Sequence, residues 1–175
     1  MRAVIATITA AGLLGLSGCS SDEKSPDSSD IMATAWSPCD DLTAATVSRL
    51  VGEQVHEDNG TPEVPRCTFT PLTKGGAAYD LSYLWFDGGL DAALDTMGAT
   101  GAQLKPVDVA GAEAARLVVS PSKTGVLATG FVQTAGLVQS VNAAQLSPYD
   151  RKQVAAGTTA LLAELAKNAP TTPAG

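Results

Sequence analysis

The sequence predicts an α+β fold in which an antiparallel β-sheet packs against helices and one disulfide closes the domain. Three observations predict it: short segments of alternating character joined by tight turns, amphipathic helical segments at both ends of that run, and two cysteines left as a pair beyond the N-terminal leader. Strands linked by a few residues pair antiparallel, since a parallel neighbour needs a crossover of about a dozen residues or more. Helices grouped around such a run favour α+β over repeated βαβ units. No internal repeat is visible.

The first helix is read from Leu42-Thr43-Ala44-Ala45-Thr46-Val47. Thr43 is the N-cap, and Leu42 and Val47 stand at the positions of a hydrophobic staple. Val47, Leu50 and Val51 share one face, Gly52 falls at C′, and Asp40 and Asp41 lie near the positive end of the helix. The polar stretch Glu53 to Pro65 reads as a loop with its turn at Asn59-Gly60, leading into a short strand, Arg66 to Thr70, that carries Cys67. Tyr79 to Phe86 is the next strand. Tyr79, Leu81, Tyr83 and Trp85 alternate onto one face and Asp80 and Ser82 onto the other, which marks it as the best-packed segment.

After Gly88-Gly89, Leu90, Ala93, Leu94 and Met97 recur at helical spacing up to Gly98. Three strands follow, Ala115–Ser120, Val126–Gln133 and Leu137–Asn142, as an antiparallel meander. Ser147-Pro148-Tyr149-Asp150 offers an N-cap serine, a proline at N1 and an acid at N3, so a closing helix is expected from there to Lys167, with Val154, Thr158, Leu161 and Leu165 inward.

The N-terminus has the order of an export signal: Arg2, an apolar run from Ala3 to Leu16, then Ser17-Gly18-Cys19. The run is shorter than the about 20 apolar residues that cross a bilayer. Leu16-Ser17-Gly18-Cys19 reads as a lipobox, in which small residues admit the peptidase and the Cys19 sulfur receives diacylglycerol. Residues 1–18 are then the leader, and 19–35 the lipidated cysteine and a tether. Residues 36–168 form one domain, and 169–175 a frayed tail. A flexible stretch like Ser20 to Ala35, rich in Ser and Asp, spans about 20–24 Å. Two acyl chains hold a protein at a membrane where a single chain binds only marginally.

The chain carries a formal charge of −7. Losing Arg2 with the leader leaves ten Lys and Arg against eighteen Asp and Glu. Such a surface is repelled by phosphate backbones and by anionic headgroups, so a nucleic-acid partner is excluded and the lipid on Cys19 must supply the membrane contact. With Cys19 acylated, Cys39 and Cys67 remain as an even pair in an oxidising compartment, where a disulfide persists. Closing 28 residues contributes about 3–4 kcal/mol on the chain-entropy model. Zinc would need further ligands, and only His56 is available. No metal or cofactor site is expected.

An enzyme would need a nucleophile with its base, a metal, or a poised carboxylate pair. His56 opens His56-Glu57-Asp58-Asn59-Gly60 without a second histidine and reads as a residue of an exposed loop. Asp87, Asp91 and Asp95 fall at four-residue intervals and read as a solvated helix face, because no calcium-loop spacing accompanies them. The chain is therefore expected not to be an enzyme. Two functional classes stay open: an interaction module docking on an unknown envelope protein, and a carrier of an apolar, lipid-like ligand. The carrier predicts a cavity of about 300–1,000 Å³ behind the aromatic strand, with Tyr79, Tyr83 and Trp85 facing the ligand.

The lipobox and spacer, followed by Ser37-Pro38-Cys39-Asp40-Asp41-Leu42-Thr43, Leu50-Val51-Gly52 and Arg66-Cys67-Thr68-Phe69, resemble a family of actinobacterial lipoproteins of the mycobacterial Lpp/Lpr type. Its shared domain is one of unknown function. The likeness extends through Gly111-Ala112-Glu113-Ala114-Ala115 and the closing helix, although Thr68 separates Cys67 from the aromatic Phe69. The resemblance implies a cell-envelope lipoprotein with two paired cysteines and carries no catalytic residues. By analogy with other small mycobacterial lipoproteins, it implies a sandwich similar to the PsbP/Mog1 type.

Overall fold

The computed structural model describes residues 36–61, 64–98 and 103–171. The leader, Cys19 and the tether lie outside the described residues, as does the end of the expected tail. Helix α1 spans Ala44–Val51, with the Thr46 N–H donating to the Thr43 hydroxyl at 3.2 Å and Gly52 closing the helix at φ 76°. The anion at its N-terminus is neither Asp40 nor Asp41. Glu57 reaches across to accept from the Ala44 N–H at 3.0 Å, while the Asp40 carboxylate holds its own turn by accepting from the Ser37 N–H at 2.8 Å.

Glu57 can do this because the stretch read as a loop is a strand. β1 (Val55–Thr61) pairs antiparallel with β2 (Val64–Pro71) from Val55/Pro71 to Thr61/Val64. Asn59-Gly60 is not the turn of this hairpin. Gly60, at φ 71°, sits where the register breaks between Asp58 and Gly60, so its freedom serves a bulge. Polar edge residues hide such a strand from a pattern search, because alternation needs a buried face to show. His56 is accordingly exposed, as expected, but on a strand.

β3 (Ala78–Trp85) is followed by α2 (Gly89–Met97), a two-residue strand β4 (Lys105–Pro106), and the expected meander of β5 (Ala114–Pro121), β6 (Gly125–Thr134) and β7 (Leu137–Leu146). The β6–β7 turn places Ala135 at φ 48° and Gly136 at φ 79°. Positive φ at both central positions matches the turn to strand twist, and the Ala135 N–H is held by the Glu113 carboxylate at 3.0 Å. Helix α3 (Arg151–Lys167) starts later than expected. Its N-cap is Asp150, whose carboxylate accepts from the Lys152 and Gln153 N–H groups at 2.9 and 3.0 Å. Ser147 lies in the connection before the helix, its N–H donating to the Thr124 carbonyl at 3.0 Å.

The strands form one seven-stranded sheet of order β1-β2-β3-β7-β6-β5-β4, and every neighbouring pair is antiparallel. Two meanders meet at β3 and β7, with α2 in the connection between them. Among the described residues, α1 and α3 contribute Val47, Val51, Val154, Leu161, Leu162 and Leu165 to one core with Phe69, Tyr79, Val132 and Val141 of the sheet. Gly130 of β6 admits α3 at close range: a Cβ there would lie 2.7 Å from Leu162 and 3.2 Å from Thr158. On the opposite face Leu90, Ala93 and Leu94 of α2 bury Phe131 and Val138 with Leu104. Covered on both sides, β7 is buried without interruption from Leu137 to Val141. It, rather than β3, is the best-packed strand.

Candidate functional site

The disulfide forms between Cys39 and Cys67, with Cα atoms 5.4 Å apart. It pins the turn before α1 to the middle of β2. The same turn begins at Trp36, which the bridge carries to the side of β3. There the Trp36 and Tyr83 rings meet edge to face, centroids 5.2 Å apart at 71°. Together with Pro38, Arg66, Cys67 and Ser82 they line a depression of about 230 Å³.

The three aromatics expected to face a ligand differ in burial. Tyr79 is only 1 % exposed, buried in the α1/α3 core. Its hydroxyl passes beneath α3 at Gly157, where a Cβ would lie 2.8 Å away, and it makes no hydrogen bond. Burial, and secondarily the Glu53 carboxylate, push this phenol up to about 12. Tyr83, further along β3, is 38 % exposed, and Trp85 is half-buried opposite Leu137. The strand alternates as expected, but burial stops after Leu81 because α1 and α3 do not extend over its second half.

Two participants escaped sequence reasoning. In the sequence Trp36 stands only as the first residue of the domain, and Arg66 only as the first residue of the strand that carries Cys67. The available signal was the disulfide itself, which brings the residues just before Cys39 next to those just before Cys67.

The other side of the sheet carries a second surface. Thr68, Asp80, Asn142 and Thr129 stand in one row across β2, β3, β7 and β6. Thr68 donates to Asp80 at 3.3 Å and Thr129 to Asn142 at 3.0 Å. Beside them, Ala78, Ala144 and Leu127 border a shallow hollow of about 270 Å³. This open face bears Leu127, 61 % exposed, and Leu146, 74 % exposed, at one end and Leu84, 47 % exposed, at the other.

Several charged groups around α2 have structural partners. Asp91 pairs with Arg116 at 2.8 Å, joining α2 to β5. Glu113 accepts from Gln133 at 2.9 Å, and Gln133 in turn accepts from the Leu90 N–H at 2.6 Å, fixing the start of α2. Among the described residues no group of three or more His, Cys, Asp or Glu could hold a metal ion, and no helix is long and apolar enough to cross a membrane. No protein-family model, curated protein or solved structure matches the chain.

Proposed function

We propose that the chain is an exported cell-envelope lipoprotein, held on the outer face of the membrane through Cys19, whose single domain works as a non-enzymatic interaction module. The observation that carries this reading is the contrast across β3. Behind the strand, where a carrier needs a chamber, Phe69, Tyr79, Val47, Leu161 and Leu165 fill the space. On the opposite face of the same sheet, Leu84, Leu127 and Leu146 stand exposed around a polar row. Surfaces of that kind are where soluble domains meet partners, whereas a ligand chamber is concave and mostly enclosed. The acidic surface leaves the lipid as the source of membrane attachment.

The test uses the full chain in its native envelope, with a photocrosslinking residue placed at Leu127 or at Leu84 and, as a control, at Lys152 on the solvent side of α3. The expected result is one discrete protein adduct from the open face, absent from the control and lost in Leu127→Asp. Cys19→Ala is expected to move the chain to the soluble fraction. A lipid-like mass copurifying with the domain, and lost in Tyr83→Ala, would overturn the module in favour of a carrier.

A further inference from the structure

β3 is a central strand for half its length and an edge for the rest. It runs beside β7 from Ala78/Ala144 to Trp85/Leu137, yet shares only Phe69/Tyr79 and Thr68/Asp80 with β2. Beyond Asp80 the two strands part. The Phe86 N–H donates to the Gly136 carbonyl at 2.8 Å, on the β7 side. Antiparallel alternation therefore turns the N–H and C=O groups of Tyr83 and Trp85 the other way, toward the space β2 has left. Backbone groups in such a position need water or an incoming strand.

The chemistry of this edge differs from that of β1, the outer edge of the same meander. β1 carries His56, Glu57 and Asp58 in succession and a bulge at Gly60, devices that discourage further pairing. From Leu81 to Phe86 there is no charge, no proline and no register break, and Tyr83 and Leu84 are exposed. The depression formed by Trp36, Pro38 and Tyr83 lies against this edge, and Arg66 lines it. Arg66 is exposed and, among the described residues, has neither an ion pair nor a hydrogen-bond partner. An exposed, unpaired cation at this edge favours a carboxylate in the occupant at contact range, where the local charge outweighs the screened net charge of −7.

We propose that the Ser82–Phe86 edge accepts an extended, acidic peptide segment of a partner protein as an added strand. The Tyr83 and Trp85 backbone groups supply the ladder, the Trp36/Tyr83 corner receives an apolar side chain, and Arg66 meets a carboxylate. Strand addition draws affinity from main-chain hydrogen bonds and specificity from pockets for alternate side chains, and this edge offers both. The inference rests on the interaction-module reading and names the partner's chemistry.

The test is amide hydrogen exchange on the full chain, with a synthetic eight-residue peptide alternating Glu with Val as the probe. The Glu peptide is expected to slow exchange at Tyr83 and Trp85 and to leave β1 unchanged. Arg66→Glu, at an exposed position that spares the fold, is expected to weaken binding about tenfold and to transfer preference to the matching Lys peptide. Three outcomes overturn the inference: no protection at Tyr83 and Trp85, equal protection by a peptide N-methylated on its pairing edge, or protection that rises with protein concentration without peptide. The last would make a second copy of the chain the occupant. Crosslinks from the open face with no peptide protection would leave the module standing and remove strand addition alone.

Discussion

On one face of the sheet, α1 and α3 press Val47, Leu161 and Leu165 against Phe69, Tyr79 and Val141, and all of these side chains are withdrawn from solvent. On the other, α2 covers Phe131 and Val138 and leaves Leu127, Thr129 and Asn142 uncovered. Both faces belong to the same strands. The difference teaches that the fold gets most of its apolar burial from one side, so the part of the second side beyond α2 is free to carry side chains chosen for another reason. The polar row from Thr68 to Thr129 and the exposed leucines flanking it occupy that freed surface. β7 records the division along its own length, buried throughout from Leu137 to Val141 and alternating from Asn142 onward.

The largest effect should come from the covered face. Leu161 is fully buried between α3 and the sheet, and Leu161→Ala is expected to lower unfolding free energy by about 2–5 kcal/mol in urea titration of the disulfide-intact chain. A loss under about 1 kcal/mol would mean that the α3 face is not the principal core.

A smaller effect probes how closely that face is packed. Gly157→Ala places a methyl group 2.8 Å from the Tyr79 hydroxyl, and is expected to cost about 1–3 kcal/mol by overpacking. Adding Tyr79→Phe removes the unpartnered hydroxyl and should recover most of the loss. If Gly157→Ala stabilised the chain instead, as helix propensity alone favours by about 1 kcal/mol, the close approach of tyrosine and helix would be ruled out.

The smallest effect belongs to the open face. Leu127→Ser should change stability by no more than about 0.5 kcal/mol, because the side chain loses almost no burial there. A cost of a full core residue at Leu127 would abolish the distinction between the two faces.

What the residues determined by themselves was local. Thr43 and Gly52 delimit α1 because a hydroxyl acceptor and a residue free to take positive φ satisfy helix ends wherever they occur. The stripe Val154, Thr158, Leu161 and Leu165 faces inward because its spacing matches the helical turn. The Cys39–Cys67 pairing followed from cysteine arithmetic. Tertiary structure alone decided the rest. That β3 lies beside β7 depends on how two distant meanders dock, which neither alternation pattern encodes. Asp150 and not Ser147 caps α3, because the helix starts only at Arg151 and Ser147 is left in the connection, bonded to Thr124 of the preceding hairpin. Tyr79 and Tyr83, two full pleats apart on one strand, look equivalent in sequence. They differ in burial because α3 passes over the first and not the second, and the reach of a packed helix is a property of the assembled fold.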